Sequence, residues 1–171
     1  VAGTSAILAI DPAIPASIRV LGSSVPDSAR AWLERLGMLS NERFALQFGD
    51  ADIATQLHEG QTALLRPTTL QPSMDPADFE DTEDTGDDTG AAPADTGSPT
   101  PTDTPTPGVP ALPTMEQLDH LGDHTRDAVY WPYSGSAGGR DVAALSKMSA
   151  DDTEAITLLS SDSATVGAAH A

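Results

Sequence analysis

Carboxylates stand where the apolar runs of this chain stop. AILAI at residues 6–10 ends on Asp11, and FALQFG at residues 44–49 ends on Asp50, with Asp52 two positions on. AITLLSS at residues 155–161 ends on Asp162. Two close carboxylates can divide into general acid and general base, or hold a divalent cation. Glycosidases set two such groups roughly 5–10 Å apart, and Asp11 with Asp50 meets that spacing if their strands are neighbours. Each also has a plainer use. Asp11-Pro12 forms a turn whose carboxylate caps nearby amides. Asp50 suits a helix N-cap, and Asp52 suits the positive end of a first helical turn. A fourth run, AVYW at residues 128–131, continues into Pro132 and Tyr133. Aromatic faces stack on sugar rings, although Trp131 as core and Tyr133 as a shield would serve packing alone. Asp11, Asp50 and Asp52 are therefore the candidate catalytic residues. Trp131, Tyr133 and Asp162 are the candidate ligand-binding residues.

These residues share one kind of setting. In residues 44–48, Phe44, Leu46 and Phe48 alternate with Ala45 and Gln47, the period of a strand. Gly49 and Asp50 break it, and Ala51, Ile53, Ala54 and Leu57 then recur at helical spacing up to Gly60. Residues 6–10 are almost wholly apolar, as in a strand of a parallel sheet covered on both faces. A short helix is expected to start at Pro15 with Ile14, Ile18 and Leu21 on one side. A stronger helix spans residues 26–36, with Ala29, Trp32, Leu33 and Leu36 as its stripe and Gly37 placed to close it. Thr114 and Gln117 fit a capping box ahead of Met115, Leu118 and Leu121, with Gly122 ending that helix. Residues 128–131 and 155–159 are further strands. Val142, Leu145 and Met148 line a helix over residues 141–148. Strands alternating with helices predict a parallel α/β sheet, whose sites lie at the C-terminal strand edge.

Other chemistries are poorly served. No cysteine is present, which removes disulfides, thiolate metal sites and cysteine nucleophiles. His120 and His124 have the spacing of two imidazoles on one helical face, but Gly122 lies between them and the segment precedes a strand, the wrong edge for a site. His58 and His170 are isolated. SGSAGG at residues 134–139 lacks the lysine of a P-loop and the spacing of a dinucleotide fingerprint. No Ser-His-Asp arrangement can be assigned. No cofactor or metal is expected.

Of the 26 acids, ten fall between residues 75 and 103 with no base among them. The remainder holds 16 acids against 8 bases, so the formal charge of −18 becomes −8 outside that tract. The bases, seven Arg and one Lys, are scattered, which argues against nucleic acid and against an acidic membrane surface. Residues 72–112 are rich in Asp, Thr, Pro and Gly, and cannot bury enough apolar surface to balance ordering entropy. They form an expected disordered insert inside one domain, with residues 1–71 and 113–171 as its halves. The tract DTEDTGDDTG lacks the bidentate Glu position of an EF-hand loop. No run approaches the roughly 18–20 apolar residues of a membrane span, and no signal peptide precedes the first strand. Lacking an initial Met and starting close to a strand, the chain reads as a soluble piece of a longer protein.

The run from AILAIDPAIP through QFGDADIATQL, with YWPYSGSAGGRDVAALSKM and AITLLSSDSA, resembles a family of large cell-envelope proteins of high-GC Gram-positive bacteria. That family also carries a Thr/Pro-rich insert between the two halves. The resemblance implies a signal peptide and a C-terminal membrane helix in the full-length protein, an extracytoplasmic location, and a gene beside that of a lipid II flippase. It implies a link to cell-wall assembly, with cell-wall glycan or envelope proteins as partners, and carries over no established activity. The region is also similar to the incomplete (β/α) barrels of polysaccharide deacetylases and glycosidases. In the deacetylases the first strand ends in a Thr-Phe-Asp-Asp-Gly motif, with one Asp on metal and the other as base. Here Ala9-Ile10-Asp11-Pro12 keeps one carboxylate, and proline stands at the other position. The expectation is therefore an α/β domain, part of an incomplete (β/α) barrel, binding glycan or protein without catalysis. The alternative is a deacetylase or glycoside hydrolase using Asp11 with Asp50 or Asp52.

Overall fold

The computed structural model describes residues 5–80, 111–148 and 154–161. Asp162, one of the sequence candidates, lies outside the described residues, as do residues 81–110 of the acidic insert. Four short strands alternate with five α-helices among the described residues: β1 (Leu8–Ile10), α1 (Ala13–Arg19), α2 (Asp27–Met38), β2 (Arg43–Ala45), α3 (Ile53–His58), α4 (Met115–Asp119), β3 (Val129–Tyr130), α5 (Gly139–Met148) and β4 (Ile156–Thr157). The fold is mixed α/β, and both strand pairs are parallel. β1 pairs with β2 in the register Leu8 to Arg43, and β3 with β4 in the register Val129 to Ile156. A bridge between Arg43 and Thr125 joins the two pairs. There Arg43 N–H donates to His124 O (3.0 Å), and Arg126 N–H donates to Arg43 O (2.8 Å). The segment leading into β3 thus runs parallel beside β2, while the four strands form two separate pairs. No closed barrel forms among the described residues.

The parallel pairing agrees with the sequence reading, while several local expectations shift. β2 is one residue earlier and shorter than the predicted 44–48. Leu46 N–H bonds Ile10 O, and the strand then ends in a left-handed turn at Gly49 and Asp50, which both adopt positive φ. α1 starts two residues before Pro15, since the Asp11 carboxylate accepts from Ala13 N–H at 2.8 Å. Its buried face becomes Pro15, Ala16 and Val20, leaving Ile14 and Leu21 exposed. α2 runs through Gly37 to Met38. α4 has the expected capping box between Thr114 and Gln117, but stops at Asp119, before Gly122.

The core explains a correction to the predicted insert. Ala16, Val20, Met74, Met115 and Leu118 form one buried cluster, flanked by Phe48, Leu70, Phe79 and Leu112. Residues 72–80, expected to be disordered, contain 3-10 turns at Gln71–Ser73 and Pro76–Phe79 and contribute Met74 and Phe79 to this cluster. Asp78 also accepts from the hydroxyls of Ser23 and Ser24 (2.9 and 2.6 Å). Two apolar residues and one acceptor are enough to seat a segment whose composition is otherwise polar.

Arg43 is the least expected core residue, at 1% exposure. Its guanidinium donates to four carbonyls: Leu36 O (2.8 Å), Leu121 O (2.9 Å), Asn41 O (3.3 Å) and Leu39 O. Leu36 and Leu39 lie at the C-terminal end of α2, where carbonyls lack intrahelical donors and favour a cation. One side chain thereby ties α2, β2 and the turn at Leu121 together.

Candidate functional site

Asp11 closes β1 and is drawn inward by two amides. Its Oδ1 accepts from Ala13 N–H (2.8 Å) and from Gly49 N–H (3.0 Å). The first bond starts α1. The second fastens the loop after β2 to the end of β1, so Asp11 acts as a clamp between two strand-to-helix turns.

Asp52, rather than Asp50, is the N-cap of α3. It accepts from Ala54 N–H (2.9 Å) and from the Thr55 hydroxyl (2.8 Å). The Thr55 hydroxyl, followed by the helix amides, holds its carboxyl below the usual aspartate range. Asp50 sits two residues earlier at φ 56°, a left-handed conformation that aspartate tolerates better than most residues. Among the described residues its exposed carboxylate makes no hydrogen bond. Of the three candidate carboxylates, Asp11 and Asp52 are engaged by the amides of their own helices, and Asp50 is left to face outward.

Across from this turn, Trp131 and Tyr133 follow β3. The Trp131 ring lies 6.4 Å from that of Phe44, at an interplanar angle of 44°, a tilted aromatic pair of ordinary geometry. Phe44 is buried, whereas Trp131 remains 54% exposed and Tyr133 78% exposed. Pro132 between them is buried. Ser136 then donates both its N–H (3.0 Å) and its hydroxyl (2.8 Å) to Tyr133 O. The SGSAGG stretch is thus a turn that fixes the backbone beneath Tyr133.

The two loops enclose a cleft of about 330 Å³, lined by Gln47, Asp50, Asp52, Ile53, Trp131 and Tyr133 among others. Four of the six sequence candidates meet there. Asp11 does not line it. Two aromatic rings, two carboxylates and an amide share its lining. Such an arrangement accepts hydrogen bonds from hydroxyls while offering flat apolar faces.

Sequence reasoning missed two glutamines that shape this edge. Gln47 Nε2 donates to Leu65 O (2.5 Å), and buried Gln56 accepts from Leu65 N–H (2.7 Å) through Oε1. Together they hold the irregular stretch around residue 65 against α3. It also missed His58, whose Nε2 lies 3.3 Å from Oδ1 of buried Asp141. Asp141 Oδ2 in turn accepts from Gly138 N–H (2.7 Å) at the start of α5. Only the Gly138–Asp141 bond, three residues apart at a helix start, has the local spacing of a capping contact. Among the described residues no group of three or more His, Asp or Glu side chains is placed to hold a metal ion, the neighbourhood of His120 and His124 included. No helix among them is long and apolar enough to cross a membrane.

Comparison with known protein families, curated proteins and solved structures gives no match for this chain.

Proposed function

We propose that this domain binds glycan through the cleft between Asp50 and Trp131, without turning it over, as an extracytoplasmic module of a cell-envelope protein linked to cell-wall assembly. The observation that carries the reading is the exposure of Trp131 and Tyr133 in a cleft that Asp50 and Asp52 also line. Leaving two large rings in water is unfavourable unless a ligand covers them, and a sugar offers both an apolar face and hydroxyl donors. Charge-assisted hydrogen bonds from those hydroxyls to Asp50 would fix orientation. Binding is favoured over hydrolysis because Asp11 and Asp52 are engaged by helix amides, whereas a glycosidase uses two carboxyl groups flanking the scissile bond. The parallel β1–β2 and β3–β4 pairs, with the parallel bridge between Arg43 and Thr125, support reading the domain as a segment of a (β/α) barrel.

Retention of the purified chain on insoluble cell-wall glycan tests this. Wild type should be retained, and the Trp131→Ala/Tyr133→Ala double variant should lose at least about tenfold in affinity, near 1.4 kcal/mol. Unchanged retention by a double variant with wild-type circular dichroism would refute the proposal.

A further inference from the structure

The cleft at Trp131 does not end at Gln47. A middle cavity of about 200 Å³ shares Leu46, Gln47, Ile53 and Trp131 with it and extends along Tyr130 and Asp127. A third cavity, of about 420 Å³, shares Ala45, Gln47, Leu64 and Asp127 with the middle one and reaches Arg66, Glu116 and Asp119 beside α4. Gln47 lines all three, and its amide nitrogen is already bonded to Leu65 O. The three therefore adjoin one another around the end of β2. Either end cavity alone is in the range of about 300–1,000 Å³ that holds a small ligand, so the whole exceeds what a single sugar would fill.

The far end has its own chemistry. Arg66 Nη1 stands 4.0 Å from Asp119 Oδ2, with the arginine side chain 67% exposed and the aspartate 18%. Burial raises the Asp119 carboxyl above its usual range, against the opposing pull of Arg66. A guanidinium fork beside a carboxylate presents donors and acceptors together, the pattern that adjacent hydroxyls can satisfy. The three cavities are lined by five carboxylates, Asp50, Asp52, Glu116, Asp119 and Asp127, and by two cations, Arg66 and Arg126, of which Arg126 is shared with Glu42 at 3.8 Å. The excess of carboxylates repels a polyanion.

Resting on the glycan-binding reading above, we infer that the three cavities form one groove and that it takes one extended, uncharged glycan chain, stacked on Trp131 towards one end and held by Arg66 and Asp119 at the other. Calorimetric titration with neutral β-1,4-linked N-acetylglucosamine oligomers, from the dimer to the hexamer, tests it. Affinity should rise at least tenfold with length. Arg66→Ala should weaken the hexamer about tenfold and leave the dimer unchanged, whereas Trp131→Ala should weaken every length. A polygalacturonate oligomer of matched length should not compete. Equal affinity for dimer and hexamer, an Arg66→Ala variant that binds the hexamer like wild type, or effective competition by the polyanion would overturn the extended groove while leaving the Trp131 cleft intact. Binding of no oligomer at all would overturn both.

Discussion

Replacing Arg43 with methionine removes a buried cation while keeping most of the side-chain length. The carbonyls of Leu36, Leu39, Asn41 and Leu121 each lose one donor, and that of Leu36 keeps the Leu39 N–H at 3.3 Å. A buried acceptor left unpaired costs about 1–3 kcal/mol, but the carbonyls nearest the surface recover part of this from water. Methionine also recovers the desolvation cost that the guanidinium carries at 1% exposure. The balance is a loss of roughly 3–5 kcal/mol, the sum over several weakened or unpaired carbonyls less the recovered desolvation. That is a large share of the 5–15 kcal/mol typical of a domain. In a chain of this size it corresponds to a fall in Tm of roughly 6–20 °C. Urea denaturation followed by the fluorescence of Trp32 and Trp131, with circular dichroism alongside, measures it. Arg43→Lys should fall between, because an ammonium offers three donors against the five of a guanidinium. A loss under about 1 kcal/mol for Arg43→Met would refute the reasoning, since the carbonyls would then be finding water and the side chain would not be tying α2 to β2.

Three further outcomes are expected. Gly122 has φ 106°, and a Cβ there would stand 3.4 Å from Arg43 Nη1, so Gly122→Ala should cost about 1–3 kcal/mol, and its cost should shrink in an Arg43→Met background. Ala128 has φ 55°, a conformation costing an L-residue roughly 1–2 kcal/mol; after the greater chain entropy of glycine is subtracted, Ala128→Gly should raise stability by about 0.5–1 kcal/mol in the same urea assay. Asp52→Ala should cost about 1 kcal/mol through loss of the α3 cap. Because the folded-state pKa of Asp52 is lowered, its contribution is complete above the unfolded value near 3.9 and disappears as pH falls through the folded one. The difference between wild type and Asp52→Ala should therefore be flat at neutral pH and narrow only below about pH 4, as stability curves across that range will show.

What the sequence alone determined is what short-range pattern encodes. Apolar runs ending at Asp11, Asp50 and Tyr133 marked strands and the loops that follow them, and Thr114 with Gln117 marked a helix start, because capping and periodicity act within a few residues. Those signals were enough to place Trp131, Tyr133, Asp50 and Asp52 at one sheet edge, where the cleft is found. They could not say which aspartate caps α3, because Asp50 and Asp52 both suit that role by type and only the left-handed turn at Gly49 and Asp50 decides. Nor could they say that Arg43 is core, that Met74 and Phe79 leave the acidic stretch to join α1 and α4, or that Asp11 spends its carboxylate on Gly49. Each of those facts involves a partner distant along the chain: Leu121 for Arg43, α1 and α4 for Met74 and Phe79, and Gly49 for Asp11. Burial of a charge, or of a few apolar groups in a polar segment, becomes favourable only when folding brings those partners within reach.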